Sequence, residues 1–223
     1  MPIFGNGRIG FNPIIRYVSI VVTAQIQRQR TCKIMQNSGQ LDPISYLTCP
    51  DGSKRAYLHH EGRKEGPGLV FLAGHGSDMF GTKADALYQM ACSHNIPFLR
   101  FDYFGHGDSD GNFLDGTIEQ WLNDALLIFD KVTHGKQILI GSSMGSWIMF
   151  LLYLLREKKI AGLIGLASAP DFTKNYWKSL NENAKQILKK EGIYFEDSKY
   201  SPEKTPITYK LILNSQKFYI LDR

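Results

Sequence analysis

Near the middle of this chain an apolar strand, a tight turn and an apolar helix follow one another directly: Gln137-Ile138-Leu139-Ile140-Gly141-Ser142-Ser143-Met144-Gly145-Ser146-Trp147. The turn has the spacing G-x-S-x-G, and in this context it constrains the fold more than any other feature. A serine on a sharp strand-to-helix turn stands exposed at the end of a sheet strand, as a nucleophile elbow requires. Gly141 and Gly145 have no side chain to block the turn against neighbouring strand and helix. The spacing alone recurs by chance in many chains. The preceding strand, and a following helix that is apolar almost all round from Trp147 to Leu155, give it weight. Ser143 is therefore the expected nucleophile. A serine hydroxyl needs a neighbouring base to react at neutral pH, and the dipole of the helix that Ser143 begins favours developing negative charge. The backbone N–H of Met144 is expected to point into an oxyanion hole.

From about residue 43 the chain alternates β-rich runs with helical patterns, which argues an α/β fold with a mostly parallel sheet and helices on both faces. Ile44–Thr48 and Ala56–His60 read as a hairpin about the turn residues Pro50-Asp51-Gly52-Ser53. Further strands are expected at Leu69–Ala73, Pro97–Phe101, Gln137–Ile140 and Ile160–Ala167. Helices are expected around Ala84–Ala91 and over Thr117–Val132, the latter with Ile118, Trp121, Leu122, Ala125, Leu126 and Phe129 inward. Residues 171–205 are polar and aromatic, which suits a small cap rather than sheet. The expected organisation is thus a leader over 1–41 and one domain over 42–223 with a cap-like insertion at 171–205.

A chain of 223 residues with 43% hydrophobic content can bury one sizeable core. The net charge of +5 is placed unevenly: residues 1–41 hold Arg8, Arg16, Arg28, Arg30 and Lys33 and no acid, and the first carboxylate is Asp42. The body is neutral, so a pI near 9.0 does not mark a nucleic-acid binder. The acid-free leader reads as a transit peptide, a disordered stretch, or an over-called start with Met35 as an alternative initiator. Ile14–Val22 is too short to span a bilayer and contains Arg16. These readings give a cytoplasmic protein, or a mitochondrial matrix protein if the leader is a transit peptide, without stable membrane insertion. The leader's Gly5-x-Gly7-x-x-Gly10 lacks the strand and the acid that a dinucleotide site needs. Cys32, Cys49 and Cys92 are widely spaced and form no C-x-x-C pair, so neither a disulfide framework nor a zinc site is expected. No cofactor is implied.

The loop Gly74-His75-Gly76-Ser77-Asp78-Met79 follows a buried strand, and the N–H of His75 is the expected second oxyanion donor. Its side chain is expected to line an acyl pocket. An aromatic cap and a Met-bearing loop fit an apolar acyl group. Asp102 is expected to brace the loop containing Gly105 and Gly107. His59, His60, His94 and His134 fall on an outer hairpin or at helix ends, as surface or capping groups. All six histidines precede Ser143. Of the acids that follow it, Asp171 opens the cap, Asp197 lies within it, and Asp222 is one residue from the end; none is persuasive as a triad acid.

From about residue 43 onward the chain resembles the α/β-hydrolase family of mitochondrial palmitoyl-protein thioesterases and acyl-glucuronide esterases, together with bacterial hydrolases of the same kind. The segments carrying the resemblance are Gly74-His75-Gly76-Ser77-Asp78-Met79-Phe80-Gly81-Thr82-Lys83-Ala84, Arg100-Phe101-Asp102-Tyr103-Phe104-Gly105-His106-Gly107-Asp108-Ser109-Asp110-Gly111 and the elbow. The resemblance implies a serine esterase or thioesterase with a covalent acyl-enzyme on Ser143, oxyanion donors at His75 and Met144, and a small-molecule acyl ester or thioester as substrate. It also implies two further strands, one bearing the triad acid and one leading to the histidine. Neither is found before Arg223, so an incomplete triad, an exposed sheet edge and marginal stability are expected, with a complementing C-terminal fragment as a possible partner. An inactive remnant and a non-catalytic small-molecule binding module are the alternative functions.

Overall fold

The computed structural model, which describes residues 42–63, 65–196 and 205–221, arranges the chain about a six-stranded sheet. The leader read over 1–41, Asp197 and Asp222 lie outside the described residues. Strands β1 (Ser45–Thr48) and β2 (Lys54–His60) form an antiparallel hairpin. Asp51 closes their turn by accepting the amide of Ser53 at 3.0 Å, and Gly52 takes the left-handed φ of 84°. Next come β3 (Gly68–Leu72), α1 (Thr82–Ser93), β4 (Phe98–Phe101), α2 (Ile118–Val132), β5 (Gln137–Ser142), α3 (Met144–Arg156) and β6 (Ile160–Leu166). The sheet order is β1-β2-β4-β3-β5-β6, antiparallel from β1 to β4 and parallel from β4 to β6.

This order fixes where a site can form. From β3 the chain steps to β4 on one side, then crosses back over β3 to β5 and continues outward to β6. Right-handed crossovers put α1 on one face of the sheet and α2 and α3 together on the other. The packing of α2 against α3 agrees. Strands β3 and β4 are buried at every position, as both-face coverage demands. The crossovers diverge at the carboxyl ends of β3 and β5, and such a switch point opens a crevice. The loop after β3 carries His75, and the turn after β5 carries Ser143.

Trp121 and Trp147 are the largest fully buried side chains between α2, α3 and the sheet. Beneath α2, the fully buried Arg55 donates to Asp124 at 2.7 Å. Strand β6 has β5 on one side and no partner strand on the other among the described residues, and only Ile160 of it is buried.

Beyond Asp171 lie α4 (Phe172–Ser179), α5 (Glu182–Glu191), β7 (Ile193–Glu196), β8 (Thr205–Thr208) and α6 (Tyr209–Ser215). The segment 171–205, read as a cap rather than sheet, thus contains strand β7, which pairs antiparallel with β8, a strand that starts at the segment's last residue. Gly192, at φ 77°, ends α5 and turns the chain straight into β7, which a composition-based reading passes over. Leu188, Ile207 and Ile212 form a small core of their own under Tyr176 and Trp177. Among the described residues no helix is long and apolar enough to cross a membrane.

Candidate active site

Ser143 has φ 53° and ψ −120°, a backbone conformation that residues with a side chain rarely adopt. What holds it there is close packing on both sides. A Cβ at Gly145 would stand 2.1 Å from the carbonyl oxygen of Leu72 and 2.5 Å from that of Ala73, so only glycine lets α3 start against the end of β3. A Cβ at Gly141 would meet Cα of Ser146 at 2.5 Å. The Ser146 hydroxyl donates to the Gly141 carbonyl at 2.7 Å, and the Ser143 amide to that of Leu166 at 3.0 Å. Of the four positive-φ non-glycine residues described, Ser143, Ala167 and Asp171 cluster here, and such strain collects at functional sites. Replacing Ser143 with glycine should stabilise the fold by about 1 kcal/mol through relief of that strain. A urea midpoint that stays put or falls would show the elbow to be relaxed.

The loop after β3 faces this turn, since a Cβ at Gly74 would lie 3.4 Å from the Cβ of Ser143. The amides of His75 and Met144 donate to no protein acceptor among the described residues. Neighbouring amides of the loop are held. Gly76 donates to Nε2 of His106 at 3.2 Å, and Met79 donates to Asp102 Oδ1 at 2.7 Å. Asp102 Oδ2 also accepts from Asp108 at 2.9 Å, so one buried carboxylate joins the two loops. Burial raises its pKa to about 6 against the pull of those two amides, with the charges of Asp78 and Asp108 adding to the rise. Met79, expected to give the loop its apolar character, is fully buried in the core instead.

The imidazole of His75 packs against the rings of Phe113, Trp121 and Phe172, at centroid distances of 4.8, 5.6 and 5.8 Å. This burial, with the nearby His106, lowers its pKa to about 3, so it is neutral and a very weak base. Between that value and the unfolded value of 6.5 the unfolded chain binds the extra proton. Stability from this group is therefore complete above about pH 6.5 and lost as pH falls toward 3, at about 1.4 kcal/mol per pH unit. Asp102 acts oppositely. Its folded pKa is raised from 3.8 to about 6, so its contribution is full at low pH and fades as pH rises through that window. Substituting Phe for His75 keeps the ring packing and should change the slope of stability against pH by one proton between about pH 4 and 6. Parallel curves for parent and variant would show that the imidazole is solvated.

No imidazole among the described residues meets the Ser143 hydroxyl, which has no hydrogen-bond partner there. His106 is committed elsewhere: Nδ1 donates to the carbonyl of Phe104 at 3.0 Å while Nε2 accepts from Gly76. Asp171 is buried, and its carboxylate accepts the amides of Ile220 and Leu221 at 2.9–3.0 Å. His94 ends α1 with Nδ1 2.9 Å from the carbonyl of Met90, and His134 is exposed. His60 differs from expectation, being half-buried and 3.1 Å from Asp42. The ring cluster of Phe113, Phe172 and Trp147 beside the loop escaped sequence reasoning, because these residues lie on three separate segments without a shared period. A cavity of about 700 Å³ bordered by Gly68, Phe98 and Gln137 opens at the other end of the parallel strands.

The family model described as serine aminopeptidase, S33 (Hydrolase_4) matches residues 67–214. Palmitoyl-protein thioesterase ABHD10, mitochondrial, of Bos taurus is 37% identical over 179 residues, covering 80% of this chain and 58% of that protein. Its Homo sapiens counterpart is 37% identical over 175 residues, covering 78% and 56%. The chain therefore spans little more than half the length of these relatives. A putative hydrolase from Agrobacterium vitis superposes with a TM-score of 0.75 at 34% identity, over 81% of this chain and 74% of that one. Alpha/beta hydrolase domain-containing protein 10 from mouse gives 0.73 at 34%, over 81% and 72%.

Proposed function

Because this chain belongs to the Hydrolase_4 family of α/β-hydrolases, we propose that it is the nucleophile-bearing part of a serine hydrolase acting on carboxylic esters or thioesters. The observation that carries the reading is a strained serine facing two unengaged amides across a switch-point crevice. The Ser143 oxygen attacks the acyl carbon, and its proton passes to a base. The oxyanion is held by the N–H groups of His75 and Met144. Collapse expels the alcohol or thiol, taking up a proton, and water then attacks the ester formed on Ser143 to release the acid. The aromatic rings around His75 suit an apolar acyl chain, and the thioesterase relatives support a fatty thioester as the substrate class. On this reading α4, α5 and the β7–β8 pair act as a cap.

The base is the part that the described residues do not supply. We infer that it comes from a complementing C-terminal segment with the triad acid and histidine, docked along the unpaired side of β6. The acid-free leader and the mitochondrial relatives favour the matrix over the cytoplasm as the place of action.

A fluorophosphonate probe and a nitrophenyl ester test this. With the complementing segment present, Ser143 should be labelled and turnover should vanish in Ser143→Ala. Without it, turnover should fall by as much as the million-fold that loss of a catalytic histidine costs. A folded, complemented protein that leaves the probe untouched would refute the proposal. The same bare hydroxyl favours one second reading, a non-catalytic pocket, which would show as ligand-dependent stabilisation without labelling.

A further inference from the structure

At the opposite end of the parallel strands from Ser143, four side chains from three separate segments converge. Asp42 precedes β1, His60 ends β2 beside Phe98 at the start of β4, and Tyr88 and Cys92 lie one turn apart on α1. One ligand atom each from Asp42, His60 and Cys92 falls within 4.8 Å of the other two. Asp42 Oδ2 accepts from the Tyr88 hydroxyl at 2.8 Å and lies 3.1 Å from His60 Nδ1. Those bonds leave capacity unused among the described residues. His60 Nε2 is buried without a partner, Asp42 Oδ1 accepts no hydrogen bond, and Cys92 is in no disulfide, with the Tyr88 hydroxyl beside its sulfur.

We propose that Asp42, His60 and Cys92 bind one zinc ion. The donor set is one carboxylate oxygen, one imidazole nitrogen and one sulfur. Magnesium and calcium are held by oxygen ligands, whereas mixed N, O and S donors are those of zinc. Tetrahedral zinc ligands stand roughly 3.5 Å apart, so the cluster has only to close by about an ångström. Side-chain exposures of 22% for His60 and 31% for Asp42 leave an entry path and room for water as a fourth ligand. The Tyr88 hydroxyl stays outside the metal and orients Asp42. The neighbouring cation, Arg100, sits over the Tyr88 ring but is itself paired with Asp85.

Binding involves no oxidation or reduction. Zinc replaces the proton on the Cys92 sulfur, a Zn–S bond forms as the S–H bond breaks, and the proton leaves to solvent. Metal uptake at a thiol releases its proton, so binding can be read directly as proton release. The bound ion clips the entry to β1 onto β2 and α1, a structural role independent of Ser143 chemistry.

The full chain, stripped with chelator and kept reduced, should take up one Zn²⁺ when titrated with the metal alone. One proton should be released, the melting temperature should rise, and Cys92 should resist alkylation. Co²⁺ in its place should give a thiolate-to-cobalt charge-transfer absorption. Cys92→Ser and His60→Asn should each weaken binding beyond the ~10–100-fold typical of losing an outer partner. Cys49→Ala and Cys32→Ala should leave it unchanged, and circular dichroism checks each variant's fold. Absence of the cobalt absorption would overturn the proposal. So would binding that survives both His60→Asn and Cys92→Ser, or that disappears with Cys32 or Cys49.

Discussion

Replacing Asp124 with alanine should destabilise the fold by about 3–5 kcal/mol, read as a large drop in the urea midpoint with the secondary structure of the folded baseline preserved. Asp124 is 2% exposed and accepts three hydrogen bonds, from Arg55 Nε and the Phe104 amide at 2.7 Å and from Gln120 at 3.1 Å. Arg55 is itself fully buried, and its Nη2 already has no partner among the described residues. Without Asp124 the guanidinium would be a buried charge with no counterion, and such a group costs far more than the pair contributes. The control follows from the same argument. In Asp124→Ala the further change Arg55→Met should recover part of the loss, because an apolar side chain of similar length tolerates the site. If the single variant loses less than about 1 kcal/mol, water must reach Arg55 and the pair is not sealed.

Gly145→Ala should be the next most damaging change, lowering stability by about 3 kcal/mol or more and displacing the elbow. The added carbon would stand 2.1 Å from one backbone oxygen and 2.5 Å from another. Leu72 ends β3 and Ala73 follows it, and as backbone oxygens neither can rotate away as a side chain would. The start of α3 must therefore lift, taking Ser143 and the Met144 amide with it. Reduced labelling of Ser143 beyond the unfolded fraction would separate the displaced elbow from simple unfolding. A variant as stable as the parent would mean that α3 has slack against β3.

How much of this could be read from the sequence follows from how local each feature is. The elbow was legible because strand, turn and helix are consecutive, and its two glycines sit where backbone meets backbone. The parallel strands were legible as apolar runs, displaced by at most a residue or two at their ends. Asp102 was legible as a brace because it closes a strand ahead of Gly105 and Gly107, although its second partner, the amide of Met79, comes from a different loop. The β7–β8 pair was hidden because its strands are only four residues each, lie apart in sequence, and are flanked by a polar helix that masks the short apolar run of β7. The cluster of Asp42, His60 and Cys92 could not be seen in cysteine spacing, because tertiary packing alone brings those positions together.

The hydrogen bonds of His106 have a consequence beyond holding a loop. A carbonyl can only accept, so Nδ1 facing Phe104 must carry the hydrogen. Nε2, facing the amide of Gly76, must then be bare. Moving that hydrogen to the other nitrogen would set two donors against each other at Gly76 and two acceptors at Phe104. The next amide along from Gly76 toward the sheet is that of His75. The aim of one side of the crevice is thus written in the position of a single hydrogen, on a ring whose nitrogens are both engaged by backbone. In this architecture the choice between two tautomers is as much a part of the shape as any torsion angle.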